Sequence, residues 1–308
     1  MGTQINLAGL PLQEMWQKSD FDGLETQLQS WCKGKERFRD GRSKLLLFET
    51  SLHSMFINWK SWDADRAKLE RWKAERPGTL SQAMAETIFW RAYAWNARGS
   101  GYAHKVPKEA WELFGQRMAM AGARLEQSKA LSGACPLWHS LNITTLLESG
   151  AEREKIEAAY QRAVQAFPAD LDIHAAMGRV YSSRWGGSDK AFDSFARRAA
   201  FLTRSVEGDG MYARLYWIED CNCDTVIQFS QERKFPDWKL IKSGFQDLAQ
   251  RYPGDAWNRN KFASFACRAY DKSTYLALRG ELGKVIYPSL WPDSYSVEVC
   301  DRRFMVQT

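Results

Sequence analysis

The sequence predicts an all-α protein, a tetratricopeptide-like α-solenoid of stacked antiparallel helix pairs. Three observations carry that expectation. Apolar residues recur at spacings of three and four in segment after segment, similar Pro-containing stops recur along the chain, and alternating strand patterns are scarce.

The helical period is plainest over 152–167, where Ile156, Ala159, Tyr160, Ala163, Val164 and Phe167 share one stripe. Residues 188–202 repeat it with Ala191, Phe192, Phe195, Ala196, Ala199 and Leu202. Trp111, Phe114, Met118, Ala121 and Leu125 form a third stripe; Ile241, Phe245, Leu248, Ala249 and Tyr252 form a fourth. The best strand candidates are Thr225–Phe229 and Val297–Val306.

The stops suggest repeated pairs. Ala166-Phe167-Pro168-Ala169-Asp170 precedes a helix carrying Ile173, Ala176, Met177, Val180 and Tyr181. Arg251-Tyr252-Pro253-Gly254-Asp255 precedes one with Phe262, Phe265, Ala266 and Ala269. A weaker third stop, Arg76-Pro77-Gly78, precedes Met84, Ile88, Phe89 and Ala92. Pro107 and Pro136 suit helix starts, as do the capping candidates Ser81, Ser188 and Asp255. Gly99-Ser100-Gly101 and Gly186-Gly187 suit tight connectors. No linker is long or polar enough to divide the chain. Residues 1–308 read as one helical-repeat domain, with a soft division near 130–150.

Composition narrows the class. The 308 residues are 44% hydrophobic and 13% aromatic, too apolar for a disordered chain. Most of the 14 tryptophans are expected in the core or between helices. The N-terminus lacks the marks of a signal peptide, and no window approaches the roughly 20 apolar residues that span a bilayer. The six cysteines are scattered apart from Cys221 and Cys223, which reads as reduced thiols in a cytoplasmic protein. A formal charge of +6, from 43 basic and 37 acidic residues of mixed order, does not by itself indicate nucleic-acid binding.

Recognisable chemistry is sparse. His53, His104, His139 and His174 are far apart, without the four-residue spacing of a helical zinc site. The glycine pairs lack a Walker lysine, and no Gly-x-Ser-x-Gly elbow or Cys-His signature is present. No metal, nucleotide or other cofactor is therefore expected. Lys33, Lys35, Arg37, Arg39, Arg42 and Lys44 form a basic cluster against Glu36 and Asp40, interleaved with Trp31 and Phe38. It reads as a solvated turn, with phosphate contact and base stacking as the alternative. Trp95 with Arg98, and Arg184 with Trp185, pair an aromatic with an arginine beside a sharp turn. Together with Arg214 they are candidate partner-binding anchors. The same pairing also describes a buried Trp with an Arg capping helix carbonyls, and Trp185 is expected to be buried.

Five stretches resemble a known family: Phe38-Arg39-Asp40-Gly41-Arg42, Trp95 to Gly101, Arg184-Trp185-Gly186-Gly187-Ser188, Gly208 to Trp217, and Phe262 to Cys267. Together they resemble the bacterial domain-of-unknown-function family numbered four-zero-three-four. The resemblance implies an all-helical fold and no catalytic residues. The functional expectation is a non-enzymatic protein that grips another protein; the narrower expectation within it is an immunity protein that neutralises a toxin or effector. A nucleic-acid binder using residues 33–44 and an enzyme of unrecognised type are the alternatives.

Overall fold

The computed structural model describes residues 8–33, 36–99, 101–222, 226–229 and 235–305. The first helices are α1 (Leu10–Lys18), α2 (Phe21–Lys33), α3 (Leu46–Trp59), α4 (Trp62–Glu75) and α5 (Leu80–Arg98). They are followed by α6 (Lys108–Gln127), α7 (Pro136–Glu148), α8 (Arg153–Ala166), α9 (Leu171–Tyr181) and α10 (Asp189–Glu207). The last five are α11 (Gly210–Asn222), α12 (Trp238–Arg251), α13 (Ala256–Arg268), α14 (Lys272–Leu282) and α15 (Val297–Phe304). Of the described residues 78% are helical and none is in a strand. None of their helices is long and apolar enough to cross a membrane.

The packing forms two compact units, divided inside α9. Among the described residues, one holds 8–36 and 43–177; the other holds 178–305 together with Arg37–Arg42. In the first, α5 is buried on nearly every face, at Ser81 through Phe89, Arg91, Ala92 and Ala94. Helices α2, α3, α4, α6 and α7 pack around it. Trp72 stacks on Phe21 at 5.0 Å, and the Trp16 indole Nε1 donates to Asp65 Oδ1 at 3.1 Å. In the second unit α13 is the enclosed helix, buried at Trp257, Asn258 and Asn260 through Arg268. Phe245 of α12 stacks on its Phe262 at 5.1 Å.

The three stops share one backbone geometry. Arg76, Phe167 and Tyr252 have φ/ψ of −134°/69°, −137°/68° and −125°/64°. Each amide donates to the carbonyl four residues earlier, at 2.8, 2.8 and 2.9 Å, and each next helix starts four residues later. The following proline causes this, because its ring excludes the α region for the residue before it. Asp170 and Asp255 then cap the next helix, accepting from Ile173 N at 3.0 Å and Asn258 N at 2.6 Å. Ser188 likewise accepts from Ala191 N at 3.2 Å.

Four expectations need correction. Ser81 does not cap: it lies inside α5, after Thr79, with its hydroxyl buried. Val297–Phe304 is a helix, because Val297, Cys300, Asp301 and Phe304 recur at helical spacing and Ser296 caps the start. Residues 226–229 are irregular, pinned by Ile227 N to Asp220 Oδ1 at 3.1 Å, while Thr225 lies outside the described residues. The cysteines are not all reduced. Cys32–Cys135 and Cys267–Cys300 are disulfides, one within each unit, across sequence separations of 103 and 33 that leave no local signal.

Candidate partner-binding site

The expected anchors fall into separate places. Trp95 and Arg98 sit on the last turn of α5 in the first unit; Arg184, Trp185 and Arg214 belong to the second. The Arg98 guanidinium lies 5.1 Å from the Trp95 ring centroid and 4.9 Å from that of Trp111 on α6. Its Nη1 donates to Gly99 O at 3.0 Å and Gly101 O at 3.2 Å. Trp95 meets Phe114 edge-on at 5.3 Å. Arg98 thus works as a carbonyl cap wedged between two indoles, which closes the α5–α6 hairpin.

Arg184 and Trp185 lie on a 3-10 turn, Ser183–Trp185. Arg184 is exposed, and Trp185 is half-buried under the Arg179 guanidinium at 5.0 Å, less enclosed than its neighbourhood in the sequence suggests. Gly187 is required here: a Cβ would lie 1.9 Å from Tyr181 O.

Arg214 is a buried structural arginine, only 2% exposed. Its Nε pairs with Glu207 Oε2 at 2.9 Å, and its Nη2 donates to Asp40 O at 2.7 Å. Tyr252 OH donates to the same Glu207 at 3.0 Å. A partner cannot reach this guanidinium in the closed unit.

The basic cluster is divided between the two units. Arg37, Arg39 and Arg42 are in the second unit, Lys33 and Lys44 in the first, and Lys35 lies outside the described residues. Arg42 pairs with Asp40 at 2.5 Å and Lys44 with Glu36 at 3.0 Å, while Lys33 and Arg39 are exposed. Part of the charge is neutralised in place, which leaves a weaker polyanion surface than the sequence count suggests.

A shallow cleft in the second unit has about 170 Å³ of interior space, lined by Ser183, Asp189, Phe192, Tyr216 and Glu219 among others. Two buried carboxylates hold its walls. Asp193 accepts from Tyr212 OH at 2.5 Å and Tyr216 OH at 2.9 Å, and Tyr212 OH in turn accepts from Asp237 N at 3.1 Å, fixing the chain after Pro236. Burial and Asp193 push both phenols well above the usual tyrosine range, so they stay protonated. Asp220 pairs with Lys261 at 2.9 Å and Arg268 at 2.7 Å, and the Arg268 Nε holds Ile227 O at 2.9 Å. Its described lining includes neither histidine nor cysteine, and its volume is below the roughly 300 Å³ of small-molecule pockets.

Sequence reasoning placed some stripe residues on the wrong side: Trp111 and Ala249, expected in buried stripes, are exposed, and Leu202 stands out most. Leu202, expected in the buried stripe of α10, is 44% exposed beside Phe201 at 75% and Val206 at 41%. The buried face of this helix is Phe192, Phe195, Ala196, Ala199, Ala200 and Thr203. Leu202 follows Ala199 by three, but the buried row continues through Ala200 and Thr203. A phenylalanine, a leucine and a valine therefore stand together in solvent, flanked by exposed Arg198 and Arg204.

Fold and site together define an all-α protein with an apolar, arginine-flanked helix face. No known protein family, curated protein or solved structure matches the chain.

Proposed function

We propose that the protein is a non-enzymatic binding protein, built as a tetratricopeptide-like stack, whose ligand is another protein. The observation that carries this reading is the exposed row Phe201, Leu202 and Val206 on α10. Leaving such side chains in water costs free energy that a partner's surface recovers, and neighbouring arginines supply directional contacts at an interface rim. The repeated Pro stop at Arg76, Phe167 and Tyr252 supports the repeat assignment, since it starts each following helix after the same interval.

Within that class, we propose an immunity protein that neutralises a secreted bacterial toxin or effector. Co-expression with the candidate toxin tests it: the wild-type chain rescues growth, and the Phe201→Asp/Leu202→Asp variant does not. The variant should melt within about 0.5 kcal/mol of wild type, as surface substitutions do. Rescue by the variant, or loss of its fold, removes α10 as the interface. Salt-sensitive retention on nucleic acid, with no protein bound, would favour the basic-cluster reading instead.

The sequence points to a cytoplasmic location, whereas the two disulfides favour an oxidising compartment. Counting free thiols on protein taken from its own cells decides between them.

A further inference from the structure

Residues 37–42 fold into a turn that holds its own shape. Arg37 Nη1 donates to Gly41 O at 2.8 Å, Phe38 N to Arg42 O at 2.8 Å and Gly41 N to Phe38 O at 3.0 Å. Asp40 accepts from Arg42 N at 2.9 Å and pairs with its Nε at 2.5 Å.

The rest of the second unit grips this turn at three points. The Asp40 carbonyl accepts from Arg214 Nη2 at 2.7 Å and Asn258 Nδ2 at 3.2 Å. Gly41, at φ +88°, lies flat on Tyr252: a Cβ would sit 2.2 Å from the ring. The Arg42 guanidinium lies 6.0 Å from both Trp217 and Trp257 and 5.9 Å from the turn's own Phe38. One carbonyl, one glycine and one caged arginine are how a preformed turn is recognised as a ligand.

The grip also has unused capacity. Arg214 Nη1, Asn258 Oδ1 and Trp257 Nε1 are buried and have no hydrogen-bond partner among the described residues. All three belong to side chains that touch the turn. Unmet buried groups of this kind are costly, so the grip is not perfected for the turn that now fills it.

We propose that Glu207, Arg214, Trp217, Tyr252, Trp257 and Asn258 form a recognition socket for an arginine-bearing Asp-Gly turn of a partner protein. Residues 37–42 are its resident, exchangeable occupant. The socket uses residues distinct from the α10 face, so it stands or falls separately from the binding role proposed above.

Two measurements on the full chain test it. In native-state hydrogen exchange, the Phe38, Gly41 and Arg42 amides should exchange roughly 100-fold faster than those of α13, through a local opening. Exchange of the turn only with global unfolding overturns the proposal. The second uses a labelled peptide spanning residues 36–44 and the Gly41→Val variant, whose side chain cannot fit against Tyr252. The variant should bind the peptide saturably, and wild type about tenfold or more weakly, because its socket is already filled. A peptide with Arg42→Ala should lose most of that binding. A folded Gly41→Val chain that ignores the peptide overturns the proposal. So does a chain that fails to fold, because an exchangeable occupant leaves without unfolding its socket.

Discussion

Arg91 of α5 grips Glu148 of α7 with two prongs, Nε to Oε2 and Nη2 to Oε1, both at 3.1 Å. Its third nitrogen reaches Glu49 of α3 at 2.9 Å. One buried guanidinium thus ties three helices of the first unit, and desolvation is offset because every prong is charge-assisted. Replacing it with Met keeps the volume but takes the two-pronged counter-charge away from buried Glu148 and the third contact from Glu49. Arg91→Met should lose about 3–5 kcal/mol in urea unfolding. A loss below 1 kcal/mol would mean the carboxylates protonate or reach water at little cost.

The same cluster sets a pH response. Burial lowers the His53 pKa, and Arg91 lowers it further against the pull of Glu49 and Glu148. Burial also lowers His139, and Arg162 adds to this against the ring's hydrogen bond to the Ser132 backbone carbonyl. A depressed folded pKa means the unfolded chain takes up its proton first. Stability is therefore fully present above about pH 6.5 and falls as pH drops toward the folded values. Asp65 and Asp255, raised mainly by burial, act with opposite sign, losing stability as pH rises through their folded pKa. A His53→Gln/His139→Gln variant isolates the imidazole part. Its melting temperature should fall less than that of wild type between pH 7.5 and 5; parallel curves would exclude the histidines.

The disulfides contribute through the unfolded chain. Closing loops of 103 and 33 residues removes more conformational freedom for the longer one, on the order of 4.7 kcal/mol against rather less for the shorter. Cys32→Ser/Cys135→Ser should therefore lower the melting temperature more than Cys267→Ser/Cys300→Ser. Equal melting in reductant and oxidant would show that neither bond forms in the purified protein.

Much of the helical skeleton was legible because its signals are local. Asp255 and Ser188 cap where their position before an apolar stripe says they should, and the Pro stops impose their geometry within four residues. For α5 and α13 the sequence located the helices but named only part of what they bury, because a helix buried on nearly every side has no polar face to mark its phase. The disulfides and the Arg91, Arg214 and Asp220 ion pairs were invisible because each partner lies far along the chain or carries no periodic signature. Arg214 shows this most directly. An arginine beside aromatics reads as an interface anchor, and the sequence carries no sign that its partners within the chain are Glu207 and the Asp40 carbonyl.

The Asp220 site yields the sharpest stability test. Burial pushes its carboxyl up, but Arg268 and Lys261 outweigh that and hold it below the usual carboxylate range. The carboxylate neutralises two cations on the enclosed face of α13, and Oδ1 also accepts the Ile227 amide. Asp220→Asn keeps the shape and one acceptor but leaves Lys261 and Arg268 buried without a counter-charge. A loss of about 3–5 kcal/mol is expected at neutral pH. Because the folded pKa is depressed, wild-type stability from this group is present above about pH 3.9 and lost as pH falls through the folded value. The gap between wild type and variant should therefore narrow in strong acid. Adding Lys261→Met to the variant should recover part of the loss, since it removes one stranded charge. If Asp220→Asn melts like wild type at pH 7, the buried triad contributes nothing net, and the pinning of 226–229 must rest on the Arg268–Ile227 carbonyl bond alone.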